Sequence, residues 1–176
     1  MSEARVAPRA PYIAVIGDGD PRGPDAQRVL EWAEEAGQLL ARAGAVVLTG
    51  GLGGVMRAAS RGATAAGGQA IGILPGTDAA DANEFVTIPI PTGLGVARNL
   101  VVVTAAEAVL AIGGRHGTLS EIGLALRQGR HVVGLASWRI ESEHRLGGPR
   151  IHRARDPREA AAMALRLAAQ GPEPPA

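Results

Sequence analysis

The run Ala108-Val109-Leu110-Ala111-Ile112-Gly113-Gly114-Arg115-His116-Gly117-Thr118-Leu119-Ser120-Glu121 decides the fold. Five continuously apolar residues stop at a pair of glycines, the mark of a strand buried on both faces. A short glycine-bearing turn follows, and Thr118–Gln128 then reads as a helix closed by Gly129. Strand, glycine loop and helix make up the repeating unit of a parallel sheet, whose strands can be joined only by crossing over it.

Working outward, the unit recurs. Tyr12–Ile16 is an apolar run ending at Gly17, and Pro24–Ala43 reads as a helix with Val29, Trp32, Ala36, Leu39 and Leu40 on one stripe. Pro24 is placed at its first turn and Gly44 just past its end. Ala45–Leu48, Ala70–Leu74 and His131–Leu135 are further buried strands, and Val55–Ala66 and Val96–Ala106 further helices. Phe85–Ile90 reads as an edge strand because Pro89 interrupts it. Asp156-Pro157 starts a last helix through Ala160–Ala169, while Ser137–Gly148 has no clear period. The expectation is one doubly wound α/β domain with a mainly parallel sheet over residues 11–170. Flexible tails are expected at 1–10 and 171–176. Ala45–Leu48, Ala70–Leu74 and Ala108–Ile112 are expected as neighbouring parallel strands.

Composition narrows the chemistry. The 176 residues suit one domain, and 46% hydrophobic residues supply a core. Aromatic residues make up only 2%, so that core must be aliphatic. There is no cysteine, which excludes thiolate catalysis, iron–sulfur clusters and disulfides. All 18 basic residues are arginine, which excludes Schiff-base chemistry with pyridoxal phosphate and a Walker-type phosphate loop. The four histidines, His116, His131, His144 and His152, stand at no zinc-site spacing, so no metal is expected. A net charge of +1 gives no large basic surface, and no nucleic-acid partner is expected. No apolar run reaches the roughly 18 residues of a membrane span, and no leader is evident; a cytoplasmic protein without a membrane partner is expected.

Three glycine loops each follow a predicted strand: Gly17-Asp18-Gly19, Gly50-Gly51-Leu52-Gly53-Gly54 and Gly113-Gly114-Arg115-His116-Gly117-Thr118. Such glycines either form tight strand-to-helix turns or let backbone N–H groups approach a phosphate at a helix N-terminus. Three loops at equivalent ends of one sheet favour the second reading. Glu121 has two readings as well. Thr118-Leu119-Ser120-Glu121 matches a capping box, which spacing alone favours, yet a carboxylate there also faces the loop end of the sheet. Arg98 stands at a helix start, where a cation is disfavoured unless an anion is near.

These segments resemble the Rossmann-type superfamily that includes the molybdenum-cofactor carrier proteins and the LONELY GUY phosphoribohydrolases. The closer resemblance is to the carrier-like branch. It rests on Gly50-Gly51-Leu52-Gly53-Gly54-Val55-Met56, Gly72-Ile73-Leu74-Pro75-Gly76, Ala82-Asn83, Pro91-Thr92-Gly93-Leu94-Gly95-Val96-Ala97-Arg98-Asn99 and the stretch Gly113–Glu121. Against the hydrolases' P-G-G-x-G-T-x-x-E, Gly113 stands at the proline and Arg115 at the second glycine; Gly117, Thr118 and Glu121 match. Their arginine falls on Arg98. Arg115 in the loop, and Arg57 after Met56, depart from both branches.

The resemblance implies a phosphorylated ligand held by Gly17, Gly50, Gly51, Gly53, Gly54, Met56, Gly114, Arg115, Gly117 and Thr118. The ligand is either the molybdenum cofactor, carried without turnover, or a nucleoside monophosphate, cleaved at its N-glycosidic bond or merely sensed. If chemistry occurs, Arg98 and Glu121 carry it without metal or redox cofactor. A homodimer or homotetramer is implied as well. The label "lysine decarboxylase", often attached to such chains, is incompatible with a protein that contains no lysine.

Overall fold

The computed structural model describes residues 9–140 and 150–173. Seven strands form one parallel sheet in the order β4-β3-β2-β1-β5-β6-β7. They are β1 (Tyr12–Gly17), β2 (Val46–Thr49), β3 (Ala70–Leu74), β4 (Ile88–Pro91), β5 (Ala108–Ile112), β6 (His131–Leu135) and β7 (Ile151–Ala154). The helices are α1 (Ala26–Arg42), α2 (Gly54–Ala65), α3 (Arg98–Ala105), α4 (His116–Arg127) and α5 (Pro157–Ala168). The protein is thus a single Rossmann-like α/β domain.

Side chains alternate across a strand, and the core divides accordingly. Ile13 and Val15 of β1, with Val47, Leu110, Ile112 and Val133, face α1, α2 and α5. Ala14 and Ile16, with Leu48, Ile71, Val109 and Val132, face α3 and α4. The largest fully buried side chains are Ile, Leu and Val, with His131 the exception, as an aromatic-poor composition requires. Where α1 and α2 cross, glycine removes the Cβ layer. A Cβ on Gly37 would sit on the Ala59 carbonyl, and one on Gly62 on the Glu34 carbonyl.

Several expectations are corrected. β2 and β3 are adjacent, but β1 lies between β2 and β5, so the three strands named above share a parallel sheet without all being neighbours. The helix expected from Pro24 begins at Ala26, the one expected from Thr118 begins at His116, and Val96 lies in a short 3-10 turn, Gly95–Ala97, ahead of α3. The edge strand is Ile88–Pro91 rather than Phe85–Ile90, and β7 was not anticipated. Of the two tails, Arg9 pairs with Glu107, and the Glu173 N–H donates to the Gly129 carbonyl at 2.9 Å. Residues 1–8 and 174–176, and 141–149 of the stretch without a clear period, lie outside the described residues.

Functional consequence follows from topology. From β1 the chain works outward through β2, β3 and β4, then returns to place β5, β6 and β7 on the other side. The reversal falls between β1 and β5, where Gly17 pairs with Ile112 at the strands' carboxyl ends. Ligands in open α/β sheets bind at such a crevice.

Candidate functional site at the carboxyl ends of β1 and β5

A cleft of about 370 Å³ opens at this point, lined by Gly17, Asp18, Gly19, Arg115, His116, Gly117 and Thr118. One wall is the first glycine loop; the other is the first turn of α4, whose N–H groups have no partners within the helix. A smaller cavity of about 210 Å³ adjoins it and includes Gly114, Asp25 and Val29. Among the described residues, no group of three or more His, Asp or Glu could hold a metal ion.

The glycines differ in what holds them. Gly113 and Gly114 have φ of 56° and 101°, a region that other residues rarely adopt. A Cβ on Gly17 would lie 2.5 Å from the Ile112 carbonyl oxygen. Gly117 and Gly19 are different: neither has a left-handed φ, a Cβ on Gly117 would meet nothing within 4 Å, and one on Gly19 only the Met56 methyl at 3.6 Å. Both line the cleft.

The second glycine loop packs behind the first and is not among the residues lining the cleft. Gly51 has a φ of 74° and its carbonyl accepts from both the backbone and side-chain nitrogens of Asn83. A Cβ on Gly54 would strike the Asp18 carbonyl, and one on Gly53 would lie 3.1 Å from that of Gly19. Gly50 leaves room for Arg98: a Cβ there would be 2.5 Å from its guanidinium nitrogens.

Arg98 and Glu121 meet beside this loop. They are 7% and 8% exposed, and Arg98 Nη1 lies 3.8 Å from Glu121 Oε1. Arg98 Nη1 donates to Asn99 Oδ1 at 2.6 Å, and among the described residues its buried Nε has no hydrogen-bond partner. Burial pushes the Glu121 carboxyl up to about 7, with Arg98 pulling the other way. Burial lowers the pKa of Arg98 too, opposed by Glu121. The capping-box reading of Glu121 is therefore overturned. Arg115 occupies the N-cap position, no side chain caps the helix, and Thr118 is buried at its third residue. Glu121 supplies the carboxyl that Arg98 meets at the start of α3.

The two departures from the family pattern have separate accounts. Arg57 pairs with Glu84 and covers the Phe85 ring, 5.1 Å from its centroid. Arg115 has an extended backbone, φ −107°, so a side chain fits where the hydrolases have glycine. Its guanidinium reaches Asp18 at 2.7 Å. Sequence reasoning did not single out Asp18, nor the segment after β6 that holds the third loop. Ala136 there has a φ of 48°, the Ser137 hydroxyl donates to the Gly113 carbonyl at 2.7 Å, and the Trp138 indole donates to the Arg115 carbonyl at 3.2 Å. The positive φ could not be read from an alanine.

A parallel sheet with glycine-bearing loops at the carboxyl ends of β1 and β5 defines a Rossmann-like class. Residues 10–161 match the SLOG cluster4 family, and the chain belongs to it. An uncharacterized protein of Archaeoglobus fulgidus is 41% identical over 123 residues, 70% of this chain and 78% of that protein. The molybdenum cofactor binding protein of Rippkaea orientalis is similar in structure, with a TM-score of 0.78 and 34% identity over 92% of this chain and 99% of that one. So is the Moco carrier protein of Chlamydomonas reinhardtii, with a TM-score of 0.77, 35% identity and the same coverage. The resemblance to the carrier-like branch holds. DNA processing protein A of Helicobacter pylori, 19% identical with a TM-score of 0.58 over 88% of this chain and 80% of that one, shares the fold. No helix among the described residues is long and apolar enough to cross a membrane.

Proposed function

We propose that the protein binds a phosphorylated, nucleotide-like molecule in the cleft between β1 and β5 and carries it without turnover, a pterin phosphate of the molybdenum-cofactor type being the cargo. The observation that carries this reading is Gly19 and Gly117. Neither backbone conformation nor packing calls for glycine at either position, yet both face the cleft. Close approach of a ligand to bare backbone accounts for them. The phosphate is held by the first-turn N–H groups of α4 and its dipole, with Arg115 at the rim. The Moco-binding proteins described above, each covered over 99% of its length, support the pterin.

The carrier works in the cytoplasm as a homodimer or homotetramer. Assembly is supported by exposed apolar side chains on neighbouring segments, Ile88 and Ile90 of β4 with Leu94, Val96 and Leu100. Light scattering that finds a monomer at micromolar concentration refutes the assembly.

Glu121 favours a second reading, hydrolysis of a nucleoside 5′-monophosphate. A buried carboxyl near 7 is suited to passing a proton at neutral pH. Glu121 would activate water for attack at C1′, Arg98 would fix the ligand, and base and ribose 5-phosphate would leave. One experiment separates the two. The protein is incubated with nucleoside monophosphates and with molybdopterin, following melting temperature and free base. Phosphate-dependent binding of molybdopterin without turnover establishes the carrier. Release of base that is lost in Glu121→Gln establishes the hydrolase. If neither ligand class raises the melting temperature, both readings fail.

A further inference from the structure

An ion pair divides the cleft. Arg115 Nε lies 2.7 Å from Asp18 Oδ2 and Nη2 lies 2.9 Å from Oδ1, and these two residues line both the larger and the smaller cavity. The two partners are held unequally. The Asp18 side chain is only 11% exposed, its Oδ1 also accepts from the Asp20 N–H, and its carbonyl accepts from the Val55 N–H. The Arg115 side chain is 65% exposed, and its anchors to Trp138 and Leu119 are through its backbone carbonyl. The acid is fixed and the base is free to swing.

Resting on the reading of the cleft as a phosphate site, we propose that Asp18 is its specificity-determining residue and that Arg115 is exchanged between Asp18 and the ligand. A fixed carboxylate repels an incoming phosphate, and Arg115 neutralises it. A phosphate at the start of α4 offers the guanidinium a planar pair of oxygens carrying more charge than one carboxylate. When Arg115 turns to the phosphate, the nearly buried Asp18 carboxylate is left with acceptor capacity and needs donors. It takes a hydroxyl or ring N–H of the same ligand reaching toward the smaller cavity. The site therefore selects phosphate esters that carry hydrogen-bond donors beyond the phosphate, such as a sugar or an amino-substituted heterocycle. An ester without donors leaves the nearly buried carboxylate with the Asp20 N–H but no partner in place of Arg115, and binds weakly.

The test uses Trp32→Phe protein, in which Trp138 is the remaining indole and reports on the third loop. Inorganic phosphate, phenyl phosphate and guanosine 5′-monophosphate are titrated into this protein, into its Asp18→Asn form and into its Arg115→Gln form. Asn keeps the acceptor for the Asp20 N–H, and an unchanged urea midpoint verifies the fold. Asp18→Asn is expected to bind inorganic and phenyl phosphate about fivefold tighter, the scale of one partly exposed ion pair, and to lose the preference for the nucleotide. Arg115→Gln is expected to weaken all three. Phosphate affinity unchanged or lower in Asp18→Asn overturns the exchange. Phosphate binding that survives Arg115→Gln intact also overturns it while leaving the phosphate cleft standing. No binding of any probe to any form removes the phosphate cleft and the exchange together.

Discussion

Replacing Glu121 by glutamine fixes the buried carboxyl in a neutral analogue at every pH. In the wild type, burial raises this group to about 7 from an ordinary 4.5, and Arg98 at 3.8 Å recovers only part of the cost. The native chain therefore holds the proton more tightly than the unfolded one. Wild-type stability is undiminished below 4.5, falls as pH rises through the interval up to 7, and stays lowered above it. Integrating over that shift, the stability of Glu121→Gln relative to wild type rises by about 2 to 3 kcal/mol between pH 5 and pH 8.5. The fixed cost of exchanging a carboxylic acid for an amide, and the titration of distant groups, cancel in this difference. For a chain of this length the change is about 5–10 °C in relative Tm. Urea unfolding of both proteins at pH 5, 6.5 and 8.5 measures it. A flat difference, or one that swings toward the wild type as pH rises, refutes the reasoning, because Arg98 would then hold Glu121 ionised.

Gly117→Ala should leave stability unchanged or raise it by up to about 1 kcal/mol, since alanine suits a helix and meets no neighbour; affinity for phosphate esters should fall at least about tenfold. Urea unfolding with ligand titration checks both, and intact binding counts against the cleft. Gly62→Ala places a methyl on the Glu34 carbonyl and should cost about 3 kcal/mol by parting α1 from α2; an unchanged urea midpoint refutes that packing account. Asp156→Ala removes the acceptor of the Glu159 N–H, 2.8 Å away at the start of α5, and should cost about 1 kcal/mol. Its Tm should drop by about 2–4 °C, and no drop means that the cap contributes nothing.

The parts of the fold that were legible are those buried on both faces. Ala70–Leu74 and Ala108–Ile112 are short runs without a polar residue, and His131–Leu135 is another after its first residue; each has glycine nearby in sequence, the composition of a strand covered on both faces. β7 escaped because Ile151-His152-Arg153-Ala154 sits at the sheet edge and is only partly covered, so its sequence keeps charge. β4 was displaced for a related reason. All four of its residues are exposed, and nothing in the hydropathy marks where pairing with β3 begins. The α1 boundary slipped because Asp25 opens the helix without a side-chain cap.

The site was legible as a region but not residue by residue, and glycine is the reason. One letter answers three separate demands: a left-handed backbone, a close approach between chain segments, and an opening for something outside the chain. Gly51 and Gly54 answer the first two, Gly50 makes room for a buried guanidinium, and only Gly19 and Gly117 are left facing an open cleft. Charge shows the same many-to-one mapping. Thr118-Leu119-Ser120-Glu121 spells a capping box with Thr118 as the N-cap, yet Arg115 takes that position, so Glu121 lies beyond the first turn, beside Arg98. Arg115 gained its meaning only from Asp18, 97 residues away in sequence. Local spacing identified where the loops lie; which of their residues face the ligand is decided by contacts between loops that the sequence keeps far apart.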